Sequence, residues 1–399
     1  MKSNIAIIGG GVIGSSIAYH LARTGKAGDI VVIEPDSSYA RAATPNGAGG
    51  VRQLFSRPEN IWMSQYSLQF YKEFDSVMAI DDMSTSIDFN QRGYLFVVGE
   101  SGAKQLEINH NQQSQQGVYT ELLDRHDLER RYPSLGLDDI VLGCLSPHDG
   151  TLNTAPALQG FRRKAEQLGA QYVEARVIGL AAEKNRVHTA HLETGESVQA
   201  DVFVNAAGAW ASEITAMLDV PEELPLPIVP MCRVKHYWTC PQDIEPLPLV
   251  KDESGLFFRP LDGGFVGGRP SWAIKPGFNF AKENQAQRDY FQGYFERVVQ
   301  PLLIARAPAF EQAQCQQSWT GHYAQNTLDG NMIIGPLGDS VENLHLACGF
   351  SGHGIMHAPA VGLALSELIL AGRFETMNLT HMSYQRVLDD APYPEEGII

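Results

Sequence analysis

The chain begins with a short apolar run, NIAII at 4–8, and then Gly9, Gly10 and Gly11. Ile13, Ile17 and Leu21 recur at helical spacing, with the small Ala18 and Ala22 alongside and Gly25 as a natural stop. IVVI at 30–33 is the next buried strand. The pattern predicts a strand–helix–strand unit of about 30 residues. A loop of small residues follows at 41–53 (RAATPNGAGGVRQ), then a helix over 59–75 and a hairpin over 87–98. The Gln-rich NHNQQSQQG at 109–117 reads as a solvated helix end. Thr154 and Pro156 start a helix that stops near Gly169, and 171–204 alternates strand and turn. Prolines and glycines punctuate short strands from 221 to 275, as in an antiparallel sheet. Helix is predicted at 283–306, strand at 332–335 and 343–348, and a last long helix at 354–371. No internal repeat is present.

Parallel-sheet signals thus occupy the start, middle and end of the chain, with antiparallel signals between them. The expected fold is α/β (α+β overall). A discontinuous Rossmann-like nucleotide-binding domain would be built from 1–85, 145–218 and 328–399. An inserted antiparallel-sheet domain would be built from 86–144 and 219–327.

Composition narrows the function classes. The 399 residues are 44% hydrophobic and 19% charged, ordinary values for a globular protein with a sizeable core. A net charge of −16 argues against nucleic acid and anionic membranes as partners. It leaves an anionic cofactor open, because helix-start N–H groups hold phosphate without basic side chains. Cys144, Cys232, Cys240, Cys315 and Cys348 are odd in number and contain no CxxC pair. Neither a disulfide framework nor an iron–sulfur or zinc site is expected, and a reducing cytoplasm fits. The apolar run after Lys2 is broken by glycines and has no cleavage site, so no signal peptide is expected. With no stretch of about 20 uninterrupted apolar residues, neither is a spanning helix.

Gly9, Gly11 and Gly14 match G-x-G-x-x-G between a strand and a helix. The first permits the turn, the second lets backbone approach a pyrophosphate, and the third lets helix pack on strand. Glu34 ends the second strand, placed to accept from an adenosine ribose; IEPDSS offers no Arg for a 2′-phosphate, which disfavours NADP. A purely structural turn is the bland alternative, and this motif alone does not separate NAD from FAD. The second turn, ACGFSGHG before the helix IMHAPAVGLALSELI, does. Gly349, Gly352 and Gly354 permit close backbone approach, and the helix start directs free N–H groups and positive charge at a ligand. A reduced flavin carries negative charge on its N1–C2=O edge. One extended FAD, held at both turns, is therefore expected; the alternative is a glycine-rich surface loop.

At this point the chain resembles the D-amino-acid-oxidase-like superfamily of FAD enzymes over nearly its whole length. IIGGGVIGSSIAYHLA with Glu34, the loop before Arg52, RGYLFV, HDGTLNTAPAL, VFVNAAGAWA, GLFFRP, WTGHYAQNTLDGNMIIG and GFSGHGIMHAPAVGLALSELI occur in the family's order. It is most similar to sarcosine oxidases, the β subunits of heteromeric sarcosine oxidase and proline dehydrogenase, and the FAD-dependent oxidoreductase domain-containing proteins. The resemblance implies an FAD-binding domain with an inserted substrate domain. It implies adenosine contacts at Val12, Ile13, Glu34, Pro35 and the Val177 backbone, and pyrophosphate contacts at Ala43 and Thr44. Ala207 and Gly208 would lie beside the cofactor. Gly349, Ser351, Gly352, His353, Gly354 and Ile355 would surround the isoalloxazine.

It further implies oxidation of the C–N bond of an amino acid or N-substituted amino acid by hydride transfer to flavin N5. Arg52 matches a family arginine near the flavin, with a surface Arg as the alternative. His353 either orients substrate or only satisfies backbone groups; Arg259 either binds a carboxylate or anchors a strand. His322 and Tyr323 occupy places where relatives contact cofactor or substrate. Trp238 and Trp319 read as core, and HxxxH at His353 and His357 lacks an acid for zinc. Three departures matter. His322 stands where monomeric sarcosine oxidases carry the flavin-linking Cys, with Cys315 seven residues too early, so non-covalent FAD is expected. GGFVGGRP lacks the oxygen-activating Lys, which favours a dehydrogenase over a fast oxidase. Met356 replaces the carboxylate-binding Lys, so substrate identity does not transfer. The electron acceptor (O2, a quinone or a partner flavoprotein) and a partner subunit stay open. So do three other functions: a 2-hydroxy-acid dehydrogenase, a flavin-bearing assembly protein with little turnover, and an NAD enzyme.

Overall fold

The computed structural model describes residues 1–80, 86–218, 224–280, 284–338 and 341–398. In chain order the strands are β1 (Lys2–Ile8), β2 (Ile30–Glu34), β3 (Gly50–Val51), β4 (Tyr94–Val98), β5 (Glu121–Asp124), β6 (Leu142–Ser146), β7 (Gly150–Thr151), β8 (Gln171–Glu174) and β9 (Val177–Glu183). Then come β10 (Arg186–Leu192), β11 (Ser197–Asn205), β12 (Ile228–Thr239), β13 (Leu249–Asp252), β14 (Phe257–Leu261), β15 (Gly264–Gly268), β16 (Gln314–Asn326), β17 (Ile333–Pro336) and β18 (Leu344–Cys348).

The first sheet runs β17-β18-β11-β1-β2-β8, with the β9–β10 hairpin joined through β11. Its central pairings are parallel, and β1 and β2 are buried on both faces, as the unbroken runs IAII and IVVI require. The second sheet runs β16-β12-β15-β14-β13-β4-β6-β5 and is antiparallel except between β13 and β4. The Rossmann-like unit with an inserted antiparallel sheet is therefore present. Strand β6 runs across the boundary set at 144/145, and residues 85 and 219 at two other boundaries lie outside the described residues.

Three expectations change. Residues 87–98 form no hairpin: only β4 is strand, and it pairs with β6 and β13. The backbone turns at Asp88 and Gly93, both at positive φ, and Asn90 bonds Thr151 instead. The helix predicted over 283–306 is broken at Gly293 (φ 61) into Gln285–Phe291 and the segments after it; residue 283 lies outside the described residues, as do 221–223. The thirteen-residue β16 was not predicted at all, because QCQQSWTGHYAQN is mostly polar and half-exposed and is held by twelve cross-strand partners on β12.

The first helix (Val12–Ala22), the helix Pro58–Lys72 and the last long helix (Gly354–Ala371) pack together on the first sheet. Ser16 Oγ donates to Ala358 O at 2.7 Å. Pro359, inside the last helix, leaves the carbonyl of Ile355 without its helical donor, and Tyr71 Oη donates to it at 2.6 Å. Ser64 reaches His357 Nε2 at 3.0 Å, and Ser67 Oγ accepts from Ala360 N. Among the described residues, Gly354–Ala371 is the one helix long and apolar enough to cross a membrane; here 56% of its window is buried in this packing.

A Cβ at position 362 would lie 2.4 Å from Ser16 Oγ and 2.8 Å from Ser16 O. Gly362→Ala is expected to destabilise the fold by about 1–3 kcal/mol, through overpacking of this contact. The measurement is a lower denaturant midpoint at unchanged slope.

Candidate active site

One cavity of about 790 Å³ runs between the two sheets, at the upper end of the range for small-molecule sites. At one end β1 delivers the first glycine turn. Gly9 has φ 100, and a Cβ there would lie 2.5 Å from Ala206 O; a Cβ on Gly14 would lie 1.9 Å from Gly9 O. Those two glycines are demanded by the protein's own backbone. Gly11 is different: a Cβ there meets no atom within 4 Å and would project toward the cavity that Gly11 lines. As N-cap of the first helix it has no side-chain cap, so the helix-start N–H groups are free for a ligand. Glu34 closes β2, accepting from Gly10 N at 2.8 Å and Asp36 N at 3.1 Å. Burial pushes its carboxyl above the usual value, and the two amides partly offset this. Val12, Ile13, Pro35, Ala43, Thr44, Val177, Ala207 and Gly208 also line the cavity.

At the other end β18 delivers the late turn. Gly349, Ser351 and Gly352 all have positive φ. Ser351 N bonds Ala324 O, and Ser351 Oγ accepts from Asn326 N, so the turn is laced to β16. A Cβ on Gly352 would lie 2.8 Å from the Tyr323 ring. His353 is the N-cap of the last helix and makes no side-chain cap, so that helix also presents free N–H groups beside the cavity. Gly354 and Ile355 line the cavity as well. Adjacent glycines, two uncapped helix starts and an acid at the β2 end form a donor and acceptor set that fits a dinucleotide.

Arg52 is 1% exposed. Its Nη1 donates to Leu54 O, its Nη2 lies 3.2 Å from His353 Nε2, and its guanidinium sits 4.1 Å from the Phe55 ring. His353 therefore accepts at Nε2, and its buried Nδ1 has no protein partner. Burial, with Arg52, His357 and Lys251 nearby, holds its pKa well below normal and the ring neutral. His322 lines the cavity, and its Nε2 accepts from Asn279 N at 3.0 Å; burial lowers it to about 4. Tyr323 lines the cavity with Arg233 5.2 Å from its ring. Arg259 is not brought to the cavity: its Nε donates to Ala48 O at 2.8 Å, clamping the loop that carries Ala43 and Thr44. Trp238 is core at 0% exposure, and Trp319 donates to Asn46 O. None of the five cysteines lines the cavity. Among the described residues the one cluster with metal-ligand geometry, Asp124, His126 and Asp127, is on the surface and apart from the cavity.

Sequence reasoning missed the second-sheet wall. Strand alternation puts Arg233 and Lys235 (β12), Leu249 and Lys251 (β13), Phe257 (β14) and Tyr94 (β4) on the cavity side. Their neighbours Val234, Trp238, Val250, Phe258, Leu95 and Val97 face the opposite way, into an apolar cluster with Tyr294, Phe295, Leu303 and Phe310. The available signal was the alternating charge in CRVKHYW and the lone Lys in PLVKD.

The profile of the family described as DAO, FAD dependent oxidoreductase, matches residues 4–368. FAD-dependent oxidoreductase domain-containing protein 1 from Xenopus laevis is 34% identical over 100% of this chain and 85% of its own length. Human mitochondrial dimethylglycine dehydrogenase is 25% identical over 93% of this chain, which spans 43% of that protein. The crystal structure of L-proline dehydrogenase from P. horikoshii has a TM-score of 0.79 at 27% identity, covering 98% of this chain and 99% of that one.

Because a Cβ at Gly11 would meet no protein atom within 4 Å, Gly11→Ala should leave the cofactor-stripped protein within about 0.5 kcal/mol of the parent while lowering flavin retained per chain. Flavin absorbance after desalting, read beside denaturant unfolding of the stripped protein, checks both.

Proposed function

This chain belongs to the DAO family of FAD-dependent oxidoreductases, and we propose that it oxidises the C–N bond of an amino acid or N-substituted amino acid, as a dehydrogenase. The observation that carries this reading is the single cavity spanning Glu34, the late glycine turn and the second-sheet wall. When bound, FAD supplies the two-electron acceptor, its N5 taking a hydride equivalent from the substrate carbon.

The chain's own residues supply position and field. Tyr94, Leu249, Phe257 and Met356 give the flavin end of the cavity apolar walls that exclude water. Arg52, Arg233, Lys235 and Lys251 make that end cationic. Like charge disfavours an ammonium there, so the substrate amine is held in the neutral form that can release a hydride, and no strong base is needed. His353, neutral and accepting from Arg52 at Nε2, carries its proton on Nδ1 and has one hydrogen bond left to donate. Non-covalent FAD is supported by the absence of cysteine from the cavity lining. A cytoplasmic location is supported by five free thiols.

The dehydrogenase reading rests on β15, where GGFVGGRP carries no lysine. Lys235 stands across from it, with its Cα 3.7 Å from the place of a Gly268 Cβ, so the cavity is not without an amine. Anaerobic bleaching of the flavin by sarcosine, proline and larger N-alkyl amino acids, but not by the matching 2-hydroxy acids, is the expected result. Slow recovery in air supports the dehydrogenase; rapid recovery makes the enzyme an oxidase, and no bleaching by any amine overturns the C–N reading.

A further inference from the structure

Arg52 and Arg233 both line the cavity, but their surroundings differ. Arg52 is committed: Nη1 donates to Leu54 O, Nη2 meets His353, and Glu395 and Asp149 answer its charge. Arg233 has no such counter-charge. It is 3% exposed, and the groups that act on it, Tyr323, Cys232 and Tyr294, are uncharged at neutral pH. Its Nη1 donates to Ser271 O at 3.1 Å and to Cys232 O at 3.2 Å, which fixes the guanidinium. Nε is buried without a partner, and Nη2 has no hydrogen-bond partner among the described residues. Nε and Nη2 form one edge of the planar group, a fork spaced for the two oxygens of a carboxylate. The rings of Trp272, at 4.3 Å, and Tyr323, at 5.2 Å, flank the guanidinium. Tyr323 in turn meets the late turn, where a Cβ on Gly352 would lie 2.8 Å from its ring. Arg233 therefore stands one aromatic ring away from that turn. A buried guanidinium with unmet donors and no acid beside it is unfavourable by itself, and an anion relieves that.

We propose that Arg233 binds the carboxylate of the substrate through its Nε and Nη2 edge, so that the cavity selects amino acids with a free carboxylate over simple amines, esters and amides. This rests on the C–N reading above for the chemistry, but not for the binding of the carboxylate.

The pH dependence of binding separates Arg233 from the lysines of the same wall. Lys235, two residues along β12, is a point charge on a flexible stem rather than a fixed fork. Burial pushes Lys235 and Lys251 down to about 7. A carboxylate held by either would lose affinity as pH rises above 7 and the ammonium gives up its proton. The Arg233 guanidinium is lowered by burial but stays charged. Around it, burial pushes Tyr323 and Tyr294 above their usual values and Cys232 up to about 12, and holds His322 down to about 4. No charge acts on Lys235, so its titration leaves Arg233 unaffected. Carboxylate affinity at Arg233 is therefore flat across neutral pH.

The test uses the FAD-loaded protein and two unreactive probes of equal size, butyrate and butyramide, titrated while the flavin spectrum is followed. Butyrate is expected to bind at least about tenfold more tightly, the scale of one charge-assisted hydrogen bond. Its affinity should stay within about threefold from about pH 6 to about pH 9. Arg233→Gln should abolish the preference and keep the flavin. Equal affinity for the two probes in the parent protein, or an affinity for butyrate that falls about tenfold or more above pH 7, overturns the proposal; both results stand even if the variant does not fold. A preference that survives Arg233→Gln overturns it as well. If the variant unfolds at the parent's denaturant midpoint but no longer retains flavin, Arg233 holds a cofactor phosphate and the proposal fails. A second arm reduces the flavin anaerobically with N-methylalanine, whose half-saturating concentration should rise at least about tenfold in Arg233→Gln. If butyrate is preferred but no amine bleaches the flavin, the carboxylate site holds and the C–N reading fails. If N-methylalanine bleaches both proteins at the same half-saturating concentration, the C–N reading holds and the carboxylate site fails.

Discussion

The contact between the first and the last long helix is what makes a single cavity from two distant glycine turns. Ser16 donates to Ala358 O, 342 residues away, and Gly362 lets the two helices close to the point where no Cβ fits. Each helix begins at a turn that lines the cavity, and neither is capped by its own side chains. Their free N–H groups and positive dipole ends therefore face one space. The helix Pro58–Lys72 supports the pair by supplying Tyr71 to the carbonyl that Pro359 leaves open. Loosening this packing would separate the two ends of the ligand site before it touched any residue of the cavity wall.

Charge is distributed against the overall sign of the protein. The molecule carries −16, yet the cavity wall of the second sheet is basic. The two facts are compatible because the glycine turns offer backbone amides rather than cations, and the basic groups are gathered on the second-sheet wall. A period-two strand sorts its residues between faces, so the same strands build an apolar cluster on one side and a charged wall on the other. Burial of the lysines weakens their protonation, and an anionic ligand would restore it.

Polar clamps hold the rim. Arg259 fixes the loop at Ala48 across from its own sheet. Asp149, raised to about 6 by burial, accepts from both the backbone N–H and the side chain of Gln53, next to Arg52. Glu395, near the end of the chain, accepts from Ser56, Arg57 and Asn60 and also lines the cavity. These bonds join segments about 100 to over 300 residues apart in sequence and keep the cavity's outline set by more than the two helices.

What the sequence by itself determined was local. Gly14 is required by the close approach of the Gly9 backbone a few residues before it. The runs at 4–8 and 30–33 could only be buried strands, and the last helix was delimited to the residue, because apolar periodicity and glycine punctuation act over one or two turns. The tertiary structure alone decided which side chains share the cavity. Arg259 left it for a backbone carbonyl, while Lys235 and Lys251 entered it through a register of strands that the sequence does not encode locally. The same reason explains the absent hairpin at 87–98 and the unforeseen β16: each strand found its partner far along the chain, where pairing depends on the assembled sheet rather than on the residues beside it.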